Sequence, residues 1–305
     1  MIEFVRTPDN RFEHLPNFPY EPKYLENLKG FEDLRMHYID EGFKNSEEIF
    51  LCLHGEPTWA YLYRKMLPIF VNEGYRVVAP DFFGFGRSDK PVEDGIYTFN
   101  FHRNSLIEFI KKLDLDNITL VCQDWGGILG LTLPVSFPSK FKRLILMNTI
   151  FGTGDFEISE GFKAFRDWVS NTPDMNVGDL MRRATPILTQ DEIIAYDAPF
   201  PDIKYKAGVR SFPQLVPTSY NMPGAELSRI ARDWFQEKWD GESFMAVGMQ
   251  DPVLGPPMMK ILREMIPRCP EPMIIKDAGH FIQEWGEIIA VKALEAFNLI
   301  PMFRH

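Results

Sequence analysis

Residues 118–130 run Ile-Thr-Leu-Val-Cys-Gln-Asp-Trp-Gly-Gly-Ile-Leu-Gly, and this stretch restricts the fold more than any other. Residues 118–122 have the β-branched, apolar character of a buried strand. Gly126 and Gly127 follow at once and remove the side chains that would block a sharp turn from strand into helix. A turn of that kind holds one side chain clear of the sheet edge. In the common elbow, Gly-x-Ser-x-Gly, it is a hydroxyl; here Cys122-Gln123-Asp124-Trp125-Gly126 presents a carboxylate. Asp124 is therefore the expected nucleophile. An aspartate after a strand is also a common helix cap, so the assignment needs partners elsewhere in the chain.

Around this elbow, apolar strand-like runs at 49–53, 76–79, 118–122, 143–147, 243–249 and 272–276 alternate with helical segments at 61–72, 99–113, 126–136, 225–238, 256–265 and 284–297. Such alternation predicts an α/β fold, a mostly parallel sheet flanked by helices. Residues 34–40 alternate polar and apolar like an antiparallel edge strand. Between 151 and 220 the rhythm stops. Short helical pieces at 161–169, 177–184 and 190–196, punctuated by prolines such as Pro173, Pro186 and Pro213, read as an inserted helical cap. The expected organisation is core 1–150, cap 151–220 and core 221–305.

The formal net charge of −10 over 305 residues, without a Lys/Arg cluster, excludes a phosphate-backbone partner. No signal-peptide core and no run of about 18 apolar residues is present, which predicts a cytoplasmic chain off the membrane. Cys52, Cys122 and Cys269 are odd in number and lack a C-x-x-C pair; reduced, mostly buried thiols are expected. The histidines lack ligand spacing, so no metal is expected. A monomer is expected.

Two further loops follow strands and end in reactive groups: Asp251 in Gly-Met-Gln-Asp-Pro (248–252) and His280 in Asp-Ala-Gly-His-Phe (277–281). In an open α/β sheet these loops converge at the carboxyl ends of the strands. Nucleophile, acid, histidine is the chain order of the α/β-hydrolase triad. Asp251 would orient His280, and His280 would serve as base. A carboxylate attacking an sp3 carbon forms an alkyl ester, which water then cleaves with His280 as general base. The oxyanion hole is expected from the backbone N–H groups of Trp125 and Glu56. A departing anion needs donors as well. The Trp125 indole N–H suits that role, and Trp168, the only tryptophan in the cap, is the expected second donor.

His-Gly-Glu-Pro-Thr-Trp (54–59), Ala-Pro-Asp-Phe-Phe-Gly-Phe-Gly-Arg-Ser-Asp-Lys-Pro (79–91) and Gln-Asp-Trp-Gly-Gly (123–127) resemble the haloalkane dehalogenase family from about Leu51 to Phe281. The resemblance implies an α/β-hydrolase core with a helical cap and cofactor-free hydrolysis of short haloalkanes, with water, to alcohol, halide and a proton. Many members carry Asn where this chain has Glu56, whose ionised carboxylate cannot donate, and carry the triad acid where this chain has Asn148. Both departures resemble the 1,2-dichloroethane dehalogenase branch, with its second halide donor a cap tryptophan. The same resemblance implies a pocket of Ile128, Phe165, Phe212, Pro213, Val216, Val253 and Leu254.

Two rivals share this pattern. An epoxide hydrolase of the same fold would use two cap tyrosines, and Tyr196, Tyr205 and Tyr220 are available. A non-catalytic binding protein would retain the pocket but gain nothing from burying a carboxylate beside a histidine.

Overall fold

In the computed structural model, which describes residues 2–300, eight strands form one sheet. They are β1 (Lys23–Leu25), β2 (Met36–Glu41), β3 (Ile49–Leu53), β4 (Arg76–Pro80), β5 (Ile118–Gln123), β6 (Phe141–Met147), β7 (Glu242–Gly248) and β8 (Met273–Ile275). Their order across the sheet is β1-β2-β4-β3-β5-β6-β7-β8. β2 pairs antiparallel with both β1 and β4, and every other pairing is parallel. Phe4–Val5 and Lys90–Pro91 form a separate antiparallel ribbon. Every residue of β3 and β5 is buried, as expected of central parallel strands covered on both faces. Five register pairs, from Ile49 with Ile118 to Leu53 with Cys122, level their carboxyl ends. The loop 54–57 and residue 124 therefore leave the sheet side by side.

The helices are α1 (Leu67–Asn72), α2 (Phe99–Lys112), α3 (Trp125–Gly130), α4 (Leu133–Ser136), α5 (Glu160–Asn171), α6 (Val177–Ala184), α7 (Gln190–Asp197), α8 (Ala207–Leu215), α9 (Ala225–Lys238), α10 (Pro256–Met265) and α11 (Gly286–Ala296). The single helices expected at 61–72 and 126–136 are each divided. Pro68 and Pro134 sit in the first turns of α1 and α4, where a missing N–H is tolerated, and both helices start anew there. The segment 284–297 likewise begins as a 3-10 turn, Ile282–Trp285, before α11.

The cap consists of α5 to α8. Side chains of Ser159, Asn176 and Thr189 accept the N–H of Phe162, Asp179 and Glu192 and so start α5, α6 and α7. Thr189 and Glu192 form a reciprocal capping box. No helix was expected at α8, because Pro213 read as a breaker; instead Pro213 lies inside it. Packing outweighs the lost backbone bond: Phe212 is fully buried, with its ring 4.7 Å from those of Phe85 and Trp125 and 4.4 Å from His102.

A buried ion cluster fastens cap to core. The Arg64 guanidinium donates to both carboxylate oxygens of Glu284 at 2.6–2.7 Å and to Glu192 of α7 at 2.6 Å. The Tyr196 hydroxyl, also on α7, donates to Glu284. Burial works against the Arg64 cation, but Tyr196 and Glu284 push its pKa up. All three cysteines are buried and free, and no helix among the described residues is long and apolar enough to cross a membrane.

Candidate active site

The β5–α3 turn places Asp124 at φ 50° and ψ −125°, left-handed backbone that costs a non-glycine residue about 1–3 kcal/mol. Its neighbours explain how it is held. A Cβ on Gly126 would lie 1.9 Å from the Leu53 carbonyl oxygen, and one on Gly127 would lie 2.0 Å from Thr149 Oγ1, so only glycine permits α3 to start so close to β3 and to the loop after β6. The Asp124 N–H donates to the Asn148 carbonyl at 3.0 Å, and Thr149 Oγ1 donates to the Asp124 carbonyl at 2.8 Å.

Three side chains from three loops stand in line. His280 Nδ1 lies 2.8 Å from Asp251 Oδ2, and His280 Nε2 lies 3.4 Å from Asp124 Oδ2. Asp251 is held from two more sides. Its Oδ1 accepts the Val253 N–H at 2.8 Å, and its Oδ2 accepts from Asn148 Nδ2 at 2.7 Å. Asn148 Oδ1 accepts the Gly248 N–H at 2.9 Å, which ties the ends of β6 and β7 together. Gln123 Nε2 donates to the His280 carbonyl at 3.1 Å.

Burial opposes the charged forms of both Asp251 and His280, yet their pairing prevails. It holds the Asp251 carboxyl below the usual range. The His280 imidazole is raised well above its ordinary value by Asp251 and Asp124. Asp124 Oδ1 accepts the Glu56 N–H at 2.9 Å. Trp125 supplies the first amide of α3, one of those without a partner inside a helix. His54 braces the Glu56 loop by accepting the Phe82 N–H at its Nε2, 2.9 Å away.

A cavity of about 380 Å³ opens over this line, with Glu56, Asp124, Trp125, Phe165, Pro213 and His280 in its wall. A side lobe of about 70 Å³ shares Asp124 and Val253 and is bounded by Ile128, Val216 and Leu254. Phe212 stands behind the wall, packed edge-on against Trp125. Trp168 lies outside it, in an outer cap groove with Phe165 and Arg183, where the Arg183 guanidinium is 5.3 Å from its ring centre. The cap tyrosines lie elsewhere: Tyr196 is buried against Glu284, Tyr220 is 58% exposed, and neither these nor Tyr205 lines the cavity.

A sequence profile described as the alpha/beta hydrolase fold matches residues 48–287. A haloalkane dehalogenase of Psychrobacter cryohalolentis is 42% identical over 296 residues, covering 95% of this chain and 96% of that one. The chain belongs to the haloalkane dehalogenase family. Haloalkane dehalogenase 1 of Mycobacterium tuberculosis is 38% identical over 93% of this chain and 94% of its own. The solved structure of the dehalogenase DpaA from Paraglaciecola agarilytica, described as tetrameric, is 50% identical, with a TM-score of 0.94 over 99% of this chain and 100% of that one. Like other haloalkane dehalogenases, this chain is a hydrolase acting on carbon–halogen bonds, and the epoxide-hydrolase and binding-protein readings are not favoured.

Asn148, Thr149 and Gln123 are supporting residues that sequence reasoning did not assign. Asn148 was read as a missing acid. Its position one residue beyond β6 was the available signal, because that strand end abuts both the elbow and the Asp251 loop.

Proposed function

We propose that Asp124 is the nucleophile, His280 the general base and Asp251 its orienting acid, acting on short haloalkanes. Asp124 attacks the halogen-bearing carbon; a C–O bond forms as the carbon–halogen bond breaks, and the halide leaves with the bonding pair. His280 then takes a proton from water, the water oxygen adds to the ester carbonyl, and the Glu56 and Trp125 amides receive the oxyanion. Alcohol leaves, Asp124 is regenerated and one proton is released.

The line from Asp251 through His280 to Asp124, at 2.8 and 3.4 Å, carries this reading. Its electrostatics support the order of steps. Ester formation removes the Asp124 charge, one of the causes that raise the His280 pKa, so the base is freed when it is needed. A cavity of about 380 Å³ is near the small end of ordinary ligand sites, roughly 300–1,000 Å³, which favours short substrates. We propose the cytoplasm as its compartment. For assembly, the tetramer described for the Paraglaciecola relative favours a multi-subunit state over the monomer expected from sequence.

The test is His280→Ala incubated with a bromoalkane. Intact mass is expected to rise by the alkyl group, with the addition mapped to Asp124. Full turnover without an adduct would overturn the assignment.

A further inference from the structure

The Glu56 carboxyl takes no part in the line of Asp251, His280 and Asp124, yet it is the most anomalous group in the cavity wall. It is buried, its Oε1 is enclosed without a hydrogen-bond partner among the described residues, and its residue lines the 380 Å³ cavity together with Asp124 and Trp125. An ionised carboxylate cannot persist there without donors, since its desolvation goes uncompensated. Burial pushes the Glu56 carboxyl well above the usual carboxylate range; Asp124 raises it further and His280 offsets part of that. This burial favours the carboxylic acid, a form with one O–H to give, over the ionised non-donor expected from the sequence.

We propose that Glu56 donates its carboxylic O–H to the departing halide, as the second donor beside the Trp125 indole N–H. This deepens the Asp124 mechanism and rests on it. Glu56 and Trp125 flank the nucleophile from the level ends of two paired strands: Glu56 through its N–H to Asp124 Oδ1, Trp125 as the next residue. Trp168, by contrast, is in the outer groove. Displacement moves the negative charge from Asp124 to the halide without changing the total, so the field that keeps Glu56 protonated persists through the step. The other charged groups facing the cavity are already engaged. Asp251 is paired with His280, and Arg183 is exposed at the cap rim with its Nε donating to the Asp179 carbonyl.

Bromide is titrated into the intact protein, followed by tryptophan fluorescence across a pH series, in the wild type, Glu56→Gln, Glu56→Leu and Trp168→Phe. Gln keeps an N–H donor and should hold neutral-pH affinity within a few-fold, while Leu should lose about tenfold or more, the scale of one hydrogen bond to a charged group. The wild type should lose affinity toward alkaline pH through a limb that Glu56→Gln lacks; this comparison stands even if Glu56→Leu fails to fold. Trp168→Phe should bind bromide normally. The proposal is overturned if Glu56→Leu binds like the wild type, if the wild type and Glu56→Gln share one pH profile, or if Glu56→Leu slows only ester hydrolysis. Ester trapping in His280→Ala keeps Glu56 intact, so failure of the Asp124 mechanism is read separately.

Discussion

Replacing Arg64 by methionine keeps most of the aliphatic stem and removes the guanidinium that joins α7 to the core. In the wild type that group is fully buried and makes hydrogen bonds of 2.6–2.7 Å to Glu284 and Glu192. Breaking a buried pair by deleting one partner costs about 3–5 kcal/mol, because the other charge is left uncompensated. Lys65 Nζ remains 3.0 Å from Glu284, which places the expected loss near the lower figure, about 3 kcal/mol. That is a large part of the roughly 5–15 kcal/mol that holds a domain folded. Urea unfolding at pH 7.5 should show a clear fall in midpoint, and hydrogen exchange should accelerate first in α6 and α7. The loss should shrink in acid. Burial raises the Glu192 carboxyl, but the Arg64 hydrogen bond prevails and the folded pKa is lowered. Its stabilising contribution is therefore present above the unfolded value, about 4.3, and disappears as pH falls through the lower folded value. A midpoint unchanged at pH 7.5, or a loss independent of pH, would refute the clamp.

Gly127→Ala should abolish most activity and destabilise by about 1–3 kcal/mol, since its Cβ would meet Thr149 Oγ1 at 2.0 Å and displace the hydroxyl that holds the elbow; thermal unfolding and single-turnover halide release check both. In single-turnover kinetics, ester hydrolysis should fall as pH drops through the His280 pKa of the alkyl-enzyme. That pKa should lie below the one found for His280 in the free enzyme by NMR titration, and equal values would contradict the charge-relief argument.

The elbow, the strand and helix alternation and the cap were legible because each rests on local pattern. Three residues after an apolar run, Asp124, Asp251 and His280, were enough to suggest a shared site once parallel order was assumed, and the structure brings them together. What escaped depended on distances across the fold. Helix α8 was hidden because Pro213 is a local breaker, whereas the burial of Phe212 is a property of the assembled core. Trp168 was chosen for its residue type and cap position, but which side of α5 faces the cavity is set by how the cap docks. The surroundings of Glu56 stayed hidden because they depend on burial, which a loop motif does not reveal.

The clamp at Arg64 also sets a division of labour. Asp124, Trp125, Asp251 and His280 all come from the core, as does Glu56, while the cap residues in the cavity wall, such as Phe165 and Pro213, contribute shape. On the proposed mechanism, bond cleavage and substrate choice fall to separately variable parts of one chain. Residues of α5 and α6 are free to change with the compound that must fit, provided Glu192 and Tyr196 still reach the core. New substrates can be accommodated by reshaping a roof whose footing stays fixed.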